Sequence, residues 1–234
     1  AADEDRTLTV RTTGSKAGLP TASSEASVEV GPPLPTVNLT APSIGTTARV
    51  GAKLTVSTGT WLLKPTGFSY QWYLNGAAIQ GATASSYTPI IADIGGDISV
   101  AVVAKKKGFP DSAPVWSQAV TVEPGAAITA SKAPALSVQG KSAKTVKLGK
   151  TVSATAGTWP VAALSISYQW QVRRDDPDVG WVDLPGATAK TLYLDPDAES
   201  DFRAGYLYRV VVTAERVGYR TGPAAISAAI TAVP

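Results

Sequence analysis

The residues of this chain that could do chemistry are its carboxylates and its tryptophans, because the usual nucleophiles and bases are missing. The sequence contains no Cys, no His and no Met. Without Cys there is no disulfide, thiolate ligand or thiol nucleophile. Without His, the general base that titrates near neutral pH and the commonest metal ligand are both lacking. No serine has a base to activate it or sits in a Gly-x-Ser-x-Gly elbow, and no glycine-rich loop opens a helix to hold phosphate. Asp175, Asp176 and Asp178 lie close in sequence to Asp195, Asp197, Glu199 and Asp201, and paired carboxylates can hydrolyse glycosides. Solvation of two loops accounts for these acids more simply, so no catalytic residue is expected.

Metal binding is the better use of the second cluster. Asp195, Asp197, Glu199 and Asp201 place a carboxylate at every second position, as calcium loops often do, but without the glycine and terminal glutamate of an EF-hand. An exposed corner loop is the plainer reading. Asp3-Glu4-Asp5 and Asp93 occupy equivalent corners with fewer acids. Apart from calcium at this loop, no cofactor is expected.

Four of the six tryptophans recur in a pattern, and that pattern reveals the elements that hold them. Ser69-Tyr70-Gln71-Trp72 returns as Ser167-Tyr168-Gln169-Trp170. Gly59-Thr60-Trp61 returns as Gly157-Thr158-Trp159, and Gly81 to Ala84 returns as Gly186 to Ala189, both reading Gly-Ala-Thr-Ala. Such internal repetition marks a tandem array. Alternation puts Tyr70, Trp72 and Leu74 on one strand face and Gln71 and Tyr73 on the other, and Asn75-Gly76 is a two-residue hairpin turn. A later strand aligns Ile98, Val100 and Val102, matched in the second copy by Tyr208, Val210 and Val212. The copies differ chiefly in the excursion Arg173 to Val182, which replaces the Asn-Gly turn. Trp116 and Trp181 do not recur and are the candidate binding residues, as sugar platforms or sticky edges. Against this, Trp116 aligns with Ile226, which suggests a substituted core position, and Trp181 stands where a short strand would begin.

Composition agrees with strands and turns. Of 234 residues 44% are hydrophobic and 17% charged, with 21 Gly and 17 Pro, and no segment carries helical spacing of apolar residues. The net charge is +3, yet the cations are scattered apart from Lys105-Lys106-Lys107, which fits a solvated hairpin end and no nucleic-acid surface. Weak attraction to an anionic wall polymer is compatible with it. No apolar stretch is long enough to span a bilayer. Asn38 and Asn75, the two asparagines, are poorly placed for a buried cross-link to lysine.

The first thirty residues match the tail of a repeat: Leu8-Thr9-Val10 corresponds to Ile98-Ser99-Val100, Ala17-Gly18-Leu19 to Lys107-Gly108-Phe109, and Val28-Glu29-Val30 to Val120-Thr121-Val122. The domains expected are therefore 1–33, a terminal hairpin plus linker; 34–124, a full repeat; and 125–234, a second full repeat. Gly31-Pro32-Pro33-Leu34-Pro35 is a linker stiffened by fixed proline φ. An isolated hairpin exposes unpaired edges, so it is expected either to pack on the following domain or to self-pair with another copy.

The string Tyr70-Gln71-Trp72-Tyr73-Leu74-Asn75-Gly76, with Gly81-Ala82-Thr83, Ala92-Asp93-x-Gly95 and Ser99-Val100-x-Val102, resembles the tandem immunoglobulin-like repeats of secreted and surface proteins of high-GC Gram-positive bacteria. The resemblance implies an all-β chain of immunoglobulin-like sandwiches arranged end to end. It places Trp72 and Trp170 at the buried tryptophan of the third strand, Val100 and Val210 at the second cysteine, and Tyr208 at the tyrosine corner, with Ile98 replacing that tyrosine in the other copy. It further implies an extracellular, non-catalytic spacer or stalk joined to other domains of the same protein, or alternatively a module recognising a glycan, cell-wall polymer or host protein.

Overall fold

A computed structural model describes residues 5–162, 164–174, 179–198 and 200–234, and the chain divides into two compact units, Ala1–Glu123 and Pro124–Pro234. The first unit opens with a hairpin of β1 (Thr7–Gly14) and β2 (Ala22–Glu29). A sandwich follows, built from β3 (Asn38–Thr40), β4 (Ala48–Arg49), β5 (Leu54–Thr55), β6 (Thr60–Trp61), β7 (Gly67–Leu74), β8 (Ala77–Ala78), β9 (Ser86–Tyr87), β10 (Asp97–Lys105), β11 (Val115–Trp116) and β12 (Val120–Glu123). One sheet runs β4-β12-β10-β7-β8, with β11 also on β10; β3 with β6 and β5 with β9 supply the other layer.

The second unit repeats this plan with β13 (Leu136–Val138), β14 (Lys141–Ser142), β15 (Thr145–Lys147), β16 (Thr151–Ala154), β17 (Ser165–Arg173), β18 (Val182–Asp183), β19 (Thr191–Tyr193), β20 (Leu207–Glu215), β21 (Ala225–Ile226) and β22 (Ile230–Val233). Its sheets run β15-β22-β20-β17-β18 and β14-β13-β16-β19. In each sandwich the last strand pairs in parallel with an early edge strand, β12 with β4 and β22 with β15, inside an otherwise antiparallel sheet. That strand order, with the tryptophan strand paired to the late strand at the centre, is immunoglobulin-like. The chain is all-β, and its two full modules are tandem β-sandwiches.

The repeated residues are the devices that build each core. Trp72 and Trp170 are fully buried, opposite Val100 and Val210 in the ladder, and all four side chains have no exposure. Each buried indole needs an acceptor for its N–H: Trp72 Nε1 donates to the Ala84 carbonyl and Trp170 Nε1 to that of Ala189, both at 2.9 Å. These acceptors are the last residues of the two Gly-Ala-Thr-Ala segments, which explains why the segments recur. The repeated glutamine has the same logic. Gln71 Nε2 donates to the carbonyls of Trp72 and Ile79, and Gln169 Nε2 to those of Trp170 and Leu184, tying the tryptophan strand to the segment beside it. Gly59 and Gly157, of the Gly-Thr-Trp segments, have φ of 73° and 79°. A Cβ there would lie 2.0 Å from the Thr40 carbonyl oxygen or 2.4 Å from that of Lys132, so no side chain fits.

A further pair carries no obvious signature in the sequence. Ser117 and Ser227 are buried, and their hydroxyls accept from the backbone N–H of Val100 and Val210 at 3.1 and 3.0 Å. Each serine sits where the register slips by one residue, between the Ala101–Trp116 and Ile98–Val120 pairs in the first module. The hydroxyl takes the place of a carbonyl that the bulge removes from the ladder.

The N-terminal hairpin is a regular eight-pair ladder from Thr7–Glu29 to Gly14–Ala22. Its Leu8–Val28 pair corresponds to the Ile98–Val120 pair of the full module. Its turn has the same form as the two others: Leu19, Phe109 and Tyr219 each donate N–H three residues back, across Gly18, Gly108 and Gly218 at φ of 81° to 84°. Every residue from Asp5 to Glu29 is exposed. The expectation that this hairpin packs on the following domain is therefore not met. The side chains that would face a core, Leu8, Val10 and Val28, have no layer to cover them among the described residues.

Candidate functional site

The two modules differ most where conserved packing gives way to surface chemistry, and the first such place is the corner before the late strand. In the second module Tyr208 ties the corner to backbone upstream of it. Its hydroxyl donates to the Asp201 carbonyl at 3.0 Å and accepts from the Arg203 N–H at 3.3 Å, while its ring stacks on Phe202 with centroids 5.8 Å apart. The first module has Ile98 at that position and ties the corner from the other sheet. Tyr87, on β9, donates its hydroxyl to Asp93 Oδ2 at 2.8 Å, and the same oxygen accepts the Ile90 N–H at 2.8 Å. Asp93 is buried at 5% exposure. Burial, then the Asp93 hydrogen bond, raise the Tyr87 phenol to about 12. Burial likewise raises Tyr208 to about 12. Asp93 is thus a structural acceptor in a short 3₁₀ turn, Ile91–Asp93, and not a thin metal loop.

Two of the four acids proposed for calcium, Asp195 and Asp201, are engaged in separate contacts. Asp195 Oδ1 accepts the Asp197 N–H at 3.0 Å, closing a local turn. Asp201 Oδ1 accepts from Arg174 Nη2 at 2.8 Å as a part-exposed ion pair. Glu199, Asp175, Asp176 and Asp178 lie outside the described residues. Among the described residues no three acids gather in a way that could hold a metal ion.

The tryptophans give a clearer result. Trp116 is 46% exposed and Ile226, its counterpart, 44%; both lie on the outer face of the sheet, so the expectation of a core position is corrected. A strand alternates sides, and Trp116 pairs with Ala101, whose neighbours Val100 and Val102 point inward. On the outer face Ala101 and Ser99 are small, and the Trp116 and Tyr73 rings lean together above them with centroids 4.4 Å apart at 51°. The two rings hide Ala101 and Ser99, which are only 5% and 8% exposed despite facing outward. Beside the ring pair lies an open groove of about 300 Å³, lined by Trp116, Pro114, Tyr73, Gln71, Ser69 and Ala101. Four tryptophan indoles, at Trp61, Trp72, Trp159 and Trp170, donate to backbone carbonyls. The Trp116 Nε1 and the hydroxyls of Tyr73 and Ser69 have no partner among the described residues.

The same face of the second module carries Trp181 in a different setting. The position of Tyr73 is taken by Gln171 and that of Ser99 by Arg209. The Arg209 guanidinium lies 4.2 Å from the Trp181 ring centroid, and that of Arg173 lies 5.7 Å from it. Arg209 Nε donates to Gln171 Oε1 at 2.7 Å, and Gln171 Nε2 to Asp183 Oδ1 at 2.8 Å. Burial, then repulsion from Arg173, lower the Arg209 pKa. Cations already occupy this ring. Of the two candidate tryptophans, Trp116 is therefore the one that borders an unfilled groove, and the feature that distinguishes it in sequence is a pair of small residues, Ser99 and Ala101, opposite an outward Tyr73.

No helix is long and apolar enough to cross a membrane among the described residues. No protein-family profile matches the chain, and no curated protein does. Solved structures with similar folds include three N-terminal domains of the highly immunogenic outer capsid protein of bacteriophage RB49, at 15% identity and TM-score 0.31, covering 82% of this chain and 58% of that one. Domains FN1 to FN3 of chicken CNTN1 match at 17% and 0.30, covering 87% and 67%. The fibronectin(III)-like modules of Clostridium thermocellum CbhA match at 13% and 0.25, covering 85% and 94%. The chain thus spans less than two thirds of the phage structure. At this distance the strand order of each module carries the fold assignment.

Proposed function

We propose that this chain is a non-catalytic spacer, a run of immunoglobulin-like modules that holds other domains of a larger secreted or surface-attached bacterial protein apart. The observation that carries the reading is the brevity of the junction between modules. Glu123 is the last residue of β12, paired with Arg49, and Gly125 already bonds within the second module, donating to the Gly218 carbonyl at 2.8 Å and accepting from the Arg220 N–H. Only Pro124 lies between them. A spacer gains reach by adding modules that fold by themselves with little slack between them. The repeated motifs suit this role, since each is occupied inside its own module.

The absence of cysteine makes the test direct. Single cysteines introduced at exposed Lys53 and Lys190 and spin-labelled give a narrow distance distribution if the junction is short and stiff. Insertion of an eight-residue Gly-Ser linker after Pro124 broadens it. Equal breadth in both proteins would overturn the spacer reading.

A second reading, recognition of a glycan or wall polymer, is favoured by one observation, the exposed Trp116 with its unbonded N–H. Pull-down on insoluble polysaccharide and purified cell wall tests it. Salt-resistant binding lost in Trp116→Ala supports it, and binding that high salt removes from both proteins counts against it.

A further inference from the structure

We infer that the Trp116–Tyr73 groove is a docking site for an extended proline-rich segment, and that its occupant is the Pro32–Pro35 linker of a second copy of this chain. This goes beyond the spacer reading and does not depend on it.

The chemistry of the groove selects the ligand. The Trp116 and Tyr73 rings line it together with Pro114, Ala101 and Val103. No charged side chain lines it. Aromatic rings alone can stack on a sugar, but gripping its paired hydroxyls takes carboxylates, amides or guanidinium groups, and the one amide N–H₂ present, on Gln71, is already held by two backbone carbonyls. The free polar groups include the Trp116 N–H and the Tyr73 and Ser69 hydroxyls, all able to donate. A polyproline segment is the complementary partner: it has carbonyl acceptors, lacks N–H at each proline, and loses little entropy when it docks on aromatic side chains.

The chain carries one such segment. Gly31-Pro32-Pro33-Leu34-Pro35 has prolines spaced as Pro-x-x-Pro. It lies outside every strand, none of its backbone groups is hydrogen-bonded among the described residues, and Leu34 is 78% exposed. Among the described residues the groove and the segment each lack the contacts that the other supplies. The second module cannot substitute for the first, because Ile226 replaces Trp116 and the Arg209 side chain fills the space above its sheet.

The test uses the full chain. A synthetic peptide of residues 31–36 is titrated while the Trp116 indole N–H is followed by NMR, assigned with Trp116→Ile, which copies the other module and preserves the fold. The peptide shifts this resonance saturably, and Trp116→Ile or replacement of the three peptide prolines by Ala weakens binding at least about tenfold. In sedimentation the chain self-associates with rising concentration. Trp116→Ile and a Pro32/Pro33/Pro35→Ala variant each stay monomeric alone, and their mixture recovers a one-to-one complex, since each supplies what the other lacks. An unmoved Trp116 resonance, a chain that is monomeric at all concentrations, or a resonance moved by oligosaccharide and not by peptide would overturn the proposal.

Discussion

Side by side, the two modules show which parts of an immunoglobulin-like repeat are fixed by its core and which are free. Around Trp72 and Trp170 they agree bond for bond: indole to Ala84 or Ala189, glutamine to the adjoining segment, serine hydroxyl to Val100 or Val210. At the corner before the late strand they solve one problem in two ways, with the tyrosine on β9 in one module and on β20 in the other. Tyr87 and Leu192 hold equivalent ladder positions against Leu54 and Val152, while Ile98 and Tyr208 hold equivalent positions against Leu74 and Val172. Exchange of one apolar and one tyrosine residue between the sheets moves the hydroxyl yet leaves the corner tied. What the core needs there is one anchored hydroxyl, and its strand of origin is secondary.

The largest effect should come where the modules are identical. Trp72→Ala and Trp170→Ala each cost about 3 to 5 kcal/mol, read by urea unfolding, and each change destabilises its own module alone. Equal damage to both modules from either change would break the comparison.

The corner sharpens it. Asp93→Ala strands the Tyr87 hydroxyl and the Ile90 N–H and costs about 1 to 3 kcal/mol. Tyr208→Phe removes one neutral hydroxyl from the second module and costs about 1 kcal/mol. The ranking is checked by denaturant midpoints. Arg203, which occupies the chain position of Asp93 in the second module, accepts no corner hydroxyl and should tolerate alanine.

The pH dependence of the corners follows from the same bonds. A phenol whose folded pKa lies above its unfolded value of about 10 stabilises the fold fully below pH 10, and that stability is lost as pH rises towards about 12. Both modules should weaken across this window. Tyr87→Phe removes that portion of the slope from the first module and Tyr208→Phe from the second, measured by unfolding at stepped pH.

The smallest effect is expected at the acidic loop. With Asp201 on Arg174 and Asp195 on its own turn, millimolar calcium should leave the melting temperature unchanged, whereas a calcium-filled site would raise it.

The sequence made the architecture readable because its repeats preserve the residues that bury or hydrogen-bond the core. Trp72, Trp170, Val100, Val210 and Tyr208 are fully buried, and Asn75-Gly76 forms its turn with both φ positive. Three features were hidden for physical reasons. Alignment of Trp116 with Ile226 correctly paired two positions but gave no side of the sheet, because the bulge at Ser117 shifts the alternation between β11 and β12. Asp93 looked like surface acid, since nothing local announces that Tyr87 reaches it from another strand. The groove itself is set by smallness at Ser99 and Ala101, and small residues leave little trace in a pattern of apolar and polar letters.

The account rests on modules that fold by themselves around their repeated motifs, and amide NMR spectra of two separate fragments, residues 34–124 and 125–234, test this most directly. The account predicts that each fragment gives a dispersed spectrum whose peaks overlay those of the whole chain, except for residues next to Pro124 and the severed linker. A collapsed, unfolded spectrum from either fragment would contradict it.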